Sequence, residues 1–455
     1  MVSNRTEKIM KLHAFSLCRV VVFLAFSPLA FGQLSQMTGA AAPALSGITL
    51  AELEQLALSS NPTLAQAAAA VRGARGRHQQ AGLYPNPTVG YLGEQIRGGI
   101  QGGGEQGFFV GQNVVLGGKL GLARQVASLE QERAQAKAEE QRLRVLTSVR
   151  ALYYRALAGQ EMVELRRKLS QVAGDAVTTT RQLANVGQAD KPDLLQAEVE
   201  ADQAELAVEQ VEQNQRTAWT ELAAAVGRPA MPMTHLVGNL SDLPQGDPEQ
   251  WFETIATGSP EVRIAQLGVS KAQAVLARSK KEAIPDLELR GGLQQNLETN
   301  DTTGRPLGLQ GFAQVGIEIP VFNRNQGNVS AAQADVERSQ QEVQRVQLSL
   351  RQRASRPFAN YESARAAVER YRNRMIPHAQ EAYDLYRGKY EQMAAAYPQV
   401  LIAQRTLFQL EADYVISLAN LWANAVALQG FLLTDGLGSP AASGDTVPPV
   451  ETLQP

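Results

Sequence analysis

Pro285-Asp286-Leu287-Glu288-Leu289-Arg290-Gly291-Gly292-Leu293-Gln294 alternates apolar with charged or amide side chains around a glycine pair. A second run, Gln314-Val315-Gly316-Ile317-Glu318-Ile319-Pro320-Val321, repeats the alternation after a glycine-containing gap from Thr299 to Gly311. A period of two gives a strand one apolar and one polar face. Each run is about the 9–11 residues that a tilted strand needs to cross a bilayer. Leu287, Leu289, Leu293, Val315, Ile317 and Ile319 are therefore the candidate lipid-facing residues of a hairpin. A weaker twin begins at Val89 and Tyr91, crosses a gap from Gly98 to Gly107, and continues with Val110, Val114 and Leu116.

The twin belongs to a duplication. Asn61-Pro62 and Ser259-Pro260 each open an Ala/Gln-rich helical stretch that ends at a second proline, Pro87 or Pro285, and both prolines recur 198 residues on. Internal repeats of this kind decide the fold before any local reading does. The unit is helix–strand–strand–helix, used twice. Four strands cannot close a barrel, since single-chain membrane barrels have about eight or more. An open sheet edge in lipid would leave backbone groups unsatisfied, at several kcal/mol each. If the strands span, the chain must associate with at least one other copy.

The helices read as a column. Lys119 to about Val186 has no proline, and at about 1.5 Å per residue it could reach about 100 Å. After Pro192, positions 194, 197, 201, 204, 208, 211, 215, 218, 222 and 225 step by three and four as a coiled-coil seam rich in alanine. The second half repeats the seam from Val400 to Phe431. Glu198, Glu205, Glu209 and Glu212 fall off it and read as a solvated face. Between Val186 and Asp193 stand a glycine stop, an aspartate cap and a first-turn proline, the signals of a tight helical hairpin. Its counterpart runs from Tyr390 to Pro398.

Composition bounds the function. Net charge is -2, with 19% charged residues, so no basic excess suggests nucleic acid. Arg5, Lys8, Lys11 and Arg19 precede an apolar stretch from Val20 to Phe26, and small residues around Ala30 offer a cleavage site. The pattern predicts a secretory signal over residues 1–32. Cys18, the only cysteine, falls within it, so the processed chain would have no thiol. His13, His78, His235 and His378 are scattered, and no phosphate loop or nucleophile elbow is present. No catalytic residue, metal site or cofactor is expected, and the chain does not read as an enzyme.

Ser60-Asn61-Pro62-Thr63-Leu64, Leu83-Tyr84-Pro85-Asn86-Pro87, Leu116-Gly117-Gly118-Lys119, Val186-Gly187 with Asp193-Leu194-Leu195-Gln196-Ala197, Leu222 to Pro229, and Ile319-Pro320-Val321-Phe322-Asn323 follow one another in order. Together they resemble the outer-membrane efflux family, the TolC-like channels of tripartite exporters, over about Ile48 to Phe431. The Tyr-Pro-Asn-Pro and Leu-Gly-Gly-Lys pieces look most like the cobalt–zinc–cadmium branch. The resemblance implies a mainly α, α+β fold. Three protomers would give four strands each to a twelve-stranded outer-membrane barrel, continued across the periplasm by a helical barrel. It implies a periplasmic adaptor and an inner-membrane pump of RND type as partners, and heavy-metal cations as cargo. By the same likeness Val186, Gly187 and Gln188 correspond to the tip that adaptors contact. Asp190, Lys191, Asp193, Arg387, Tyr390 and Glu391 are candidates for polar links that hold the tips closed. The second tip departs from the family pattern, with Gln392-Met393-Ala394 where a glycine is usual.

The expected division is a signal at 1–32, a flexible segment at 33–47, a first repeat at 48–226, a linker at 227–248, a second repeat at 249–435 and a disordered tail at 436–455. Competing readings are an exit duct for drugs or secreted polypeptides, and a periplasmic coiled-coil protein without a channel.

Overall fold

The computed structural model describes residues 47–96, 104–187, 190–299, 304–392 and 397–439. All of them fall in one compact unit that begins at Gly47. The expected signal and the flexible segment up to Ser46 lie outside the described residues.

The first repeat comprises β1 (Ile48–Thr49), α1 (Leu50–Ser60), α2 (Pro62–Ala81), β2 (Thr88–Glu94), β3 (Glu105–Val114), α3 (Lys119–Asn185) and α4 (Lys191–Val226). β4 (Leu236–Val237) falls in the expected linker, and the second repeat comprises α5 (Pro248–Gly258), α6 (Pro260–Lys281), β5 (Leu287–Thr299), β6 (Pro306–Ile317), α7 (Gln326–Arg370), a π-helical turn (Tyr371–Met375), α8 (Ile376–Glu391) and α9 (Tyr397–Gln429). The helix starts follow from local chemistry. Asn61 accepts the Thr63 N–H at 2.9 Å, and Ser259 accepts the Val262 N–H at 3.4 Å. Pro62 and Pro260, which lack an N–H, stand where a helix needs none.

Helix α3 runs unbroken for 67 residues, about 100 Å. Its counterpart covers nearly the same length, residues 326–391, with the π turn inserted. Pro377 follows that turn in the first positions of α8. A proline there cannot donate to the carbonyl one turn back, so the hydrogen-bond ladder is displaced locally. The two expected seams are confirmed in burial: every position named on α4 is buried or half-buried, and Val400, Ala403, Leu407, Leu421 and Leu428 are buried on α9.

The core lies where α1 and α5 pack against the long helices. It includes Leu53, Val149, Leu157, Trp219, Leu222, Ile255, Leu350 and Leu421. The segment expected to be a plain linker contributes to it. Leu236 and Val237 pair in parallel with Ile48 and Thr49. Met231 and Leu240 carbonyls accept the indole N–H groups of Trp219 and Trp422 at 3.1 and 2.9 Å. The tail also begins later than expected: Gln141, 2% exposed, donates to the Gly436 and Gly438 carbonyls and to Thr63 Oγ1. Residues 440–455 lie outside the described residues.

Candidate functional site

The four longer strands form one antiparallel sheet in the order β2-β3-β5-β6. The register sorts the side chains. Tyr91 lies opposite Phe108, Phe108 opposite Leu293, and Leu293 opposite Gly311. Likewise Val89, Val110 and Gly291 align with Ala313, and Leu287 with Ile317. One face therefore carries Val89, Tyr91, Phe108, Val110, Leu287, Leu289, Leu293, Leu309, Val315 and Ile317, with Gln106, Gln112 and Gln295 among them. Most of it is open: Tyr91, Phe108, Leu293, Leu309 and Val315 all belong to the exposed large hydrophobics. Five of the six residues read from sequence share this face. Ile319 stands beyond the end of β6, in the segment leading to α7, and is also exposed.

The other face includes Leu92, Phe109 and Phe312 but is mainly polar and internally bonded. Glu105 accepts from the amides of Gln294 and Asn296, the latter at 2.7 Å, and Asn296 also donates to Gln310 at 3.3 Å. Asn296 is only 3% exposed. Arg290 pairs with Glu288 at 2.7 Å and lies over the Phe109 ring. Gly292 makes room here, since a Cβ would stand 2.7 Å from the Phe312 ring. Glu105, Asn296 and Gln310 were not singled out from sequence, although the parity that marks Leu293 marks them as its opposites.

Among the described residues both outer edges of the sheet are unpaired, because β2 pairs only with β3 and β6 only with β5. The helices beneath pack in the same succession, α2 on α3, α3 on α6 and α6 on α7. Each strand thus continues into the helix below it. The junctions are tight. Gly117 and Gly118 adopt φ of 70° and 71°, and a Cβ on Gly117 would stand 2.9 Å from Ile284. Lys119 Nζ binds Asp286 and the Ile284 carbonyl at 2.8 and 2.9 Å, joining the two repeats at this level.

At the far end of α3, Val186 is exposed and Gly187 turns the chain with φ of 75°. Gln188 lies outside the described residues. The Asp193 carboxylate accepts the Asp190 N–H at 3.3 Å, which closes the start of α4. Asp190 and Lys191 are exposed. Arg387 on α8 lies over the Tyr383 ring, and Tyr390 sits one turn further on. Glu391 ends α8, and the rest of the second turn, Met393 to Ala396, lies outside the described residues. Of the four glutamates read as a solvated face of α4, Glu198 and Glu212 cross to Arg181 and Arg167 of α3, while Glu205 and Glu209 face solvent.

A sheet with one exposed, mainly apolar face, standing on helices of this length, has the architecture of a membrane channel. The chain matches the outer membrane efflux protein family over residues 53–228 and 251–432, and belongs to it. It is 26% identical over 385 residues to the cobalt-zinc-cadmium resistance protein CzcC of Cupriavidus metallidurans, covering 85% of this chain and 90% of that one. It is also 26% identical over 300 residues to the nickel-cobalt-cadmium resistance protein NccC of Alcaligenes xylosoxydans xylosoxydans, covering 65% and 66%. Among solved structures, the fold is similar to that of CusC, with a TM-score of 0.68 at 17% identity, covering 85% of this chain and 92% of that one. The family is one of efflux ducts and not of enzymes.

Proposed function

We propose that this outer membrane efflux protein works as a ring of three copies, the passive exit duct of a tripartite system that expels heavy-metal cations. The observation that carries the reading is the sheet: one apolar face, one polar face and two free edges. Four is an even number, so β6 of one copy meets β2 of the next in antiparallel sense, and closure leaves no edge in lipid. Twelve strands give a barrel wide enough to enclose water, with Glu105, Glu288, Arg290, Gln294 and Gln310 toward the lumen. Leu287, Leu289, Leu293, Val315 and Ile317 then face lipid. Residues 1–32 would direct export to the outer membrane.

At the other end, Val186, Gly187 and Gln188 offer the contact for a periplasmic adaptor, which links the duct to an inner-membrane pump. Asp190, Lys191, Asp193, Arg387, Tyr390 and Glu391 surround the opening as its polar links. The resistance proteins among the relatives support metal cargo. Deleting the gene tests it: tolerance to cobalt, zinc and cadmium should fall while tolerance to lipophilic drugs stays. Unchanged metal tolerance would defeat the cargo assignment. A single protomer released without detergent would defeat the duct.

A further inference from the structure

We propose that the helix ends beneath the sheet form a belt that binds anionic phospholipid headgroups, built from Arg75, Arg77, Arg124, Lys280, Lys281 and Arg324. The proposal rests on the sheet facing lipid, as argued above.

All six residues are exposed, and none makes an ion pair among the described residues. They come from four adjacent elements: α2, the start of α3, the end of α6, and the approach to α7. Helix α2 carries three arginines and no carboxylate in its 20 residues. In α3 no carboxylate precedes Glu130. Charge on helix ends has a plain alternative cause, since cations favour helix C-termini. That covers Lys280 and Lys281 in the last turn of α6. It does not cover Arg324, which stands just before the N-terminus of α7, where the dipole opposes it, or Arg124, which lies beyond the reach of either end of α3.

The position fits a membrane interface. Tyr84, Leu116, Ile319, Val321 and Phe322 project just above the belt, and Phe322 is 92% exposed. Aromatic and apolar side chains mark the rim of a bilayer core. Arg75 lies six residues before the end of α2 and Arg124 five after the start of α3, about 8–9 Å below the helix ends. The headgroup zone is about 5–8 Å deep on each side, and arginine stems reach upward along apolar surface. Clustered cations next to an apolar band attract anionic lipid.

The test reconstitutes the full chain in phosphatidylcholine vesicles holding a minor fraction of phosphatidylglycerol. Lipid retained on mild extraction is then quantified by mass spectrometry. The wild type should retain phosphatidylglycerol about three- to tenfold over its bulk share, falling toward parity with added salt. Arg75→Gln/Arg77→Gln/Lys280→Gln/Lys281→Gln should lose the enrichment. Arg356→Gln/Arg370→Gln/Arg372→Gln/Arg374→Gln, an equal charge change elsewhere, should keep it. Enrichment unaffected by salt, or equal in both variants, overturns the belt. Wild type that floats with the vesicles yet shows no preference overturns the belt alone. Wild type that does not associate with vesicles overturns the lipid-facing sheet as well.

Discussion

Leu293 and Gln294 are neighbours on one strand and point to opposite sides of the sheet, so an arginine at each separates lipid from water. Leu293 is six residues above the start of β5, about 20 Å along the strand. At a tilt of about 40° that is about 15 Å of height, close to the middle of an apolar band about 25 Å tall. An arginine facing lipid at that depth costs about 2–4 kcal/mol, or about 30- to 900-fold in the folding equilibrium. In water the same change at a side chain 60% exposed would cost about 0.5 kcal/mol or less. Gln294→Arg places its charge beside Glu105 on the polar face and should stay near that smaller figure. The assay is refolding into neutral vesicles across a urea series, with the folded fraction read from heat-modifiable gel mobility. Leu293→Arg should lower the midpoint sharply and Gln294→Arg should barely move it. Equal midpoints, or the reverse order, would refute the assignment of faces.

Lys119→Met removes the cation from a pair whose lysine side chain is 10% exposed, and should destabilise by about 1–3 kcal/mol. The double variant Lys119→Met/Asp286→Asn should cost less than the sum of the singles in a thermal double-mutant cycle. Gln141→Leu removes the amide that donates to Thr63 Oγ1 and to the Gly436 and Gly438 carbonyls, and should cost about 1 kcal/mol while exposing the chain after Gly430 to limited proteolysis. Burial raises the Glu161 carboxyl above its ordinary value; the Leu240 N–H opposes the rise and Glu164 adds to it. The folded chain therefore holds this proton more tightly than the unfolded one. The ionised form weighs against folding at neutral pH, and that penalty fades as pH falls through the raised value toward the unfolded one. Glu161→Gln should be the more stable form at neutral pH in thermal melts, with its advantage gone in acid.

The repeat, the strands and the seams were legible because each writes a period into the chain. Alternation from Leu287 to Leu293 needs no tertiary contact to be read, and neither does the three-four step from Leu194 to Ala225. What escaped depends on distant partners. Leu236 and Val237 are two ordinary residues in a proline-rich stretch until Ile48 and Thr49 lie beside them. Gln141 looks like one more helical glutamine, and only Gly436, nearly 300 residues away, makes it a tether. The π turn was missed because Pro377 was not weighed as a helix disturbance, although its missing N–H was a readable signal. At the tips the aspartate cap was legible, and Asp193 does close the helix start at Asp190; which charges meet across the opening depends on neighbouring copies and is not written in residue type.

Proline or paired glycine stands at every passage between the four-stranded sheet and the helices: Pro85 and Pro87, Gly117 and Gly118, Pro285, Pro320. Because every strand is threaded onto the helix below it, these short joints set the phase of everything above them. Removing a single residue from one, such as Asn86, would turn the whole of β2 through half a revolution and swap its two sides while leaving its composition unchanged. The joints can therefore vary in chemistry far more freely than in length.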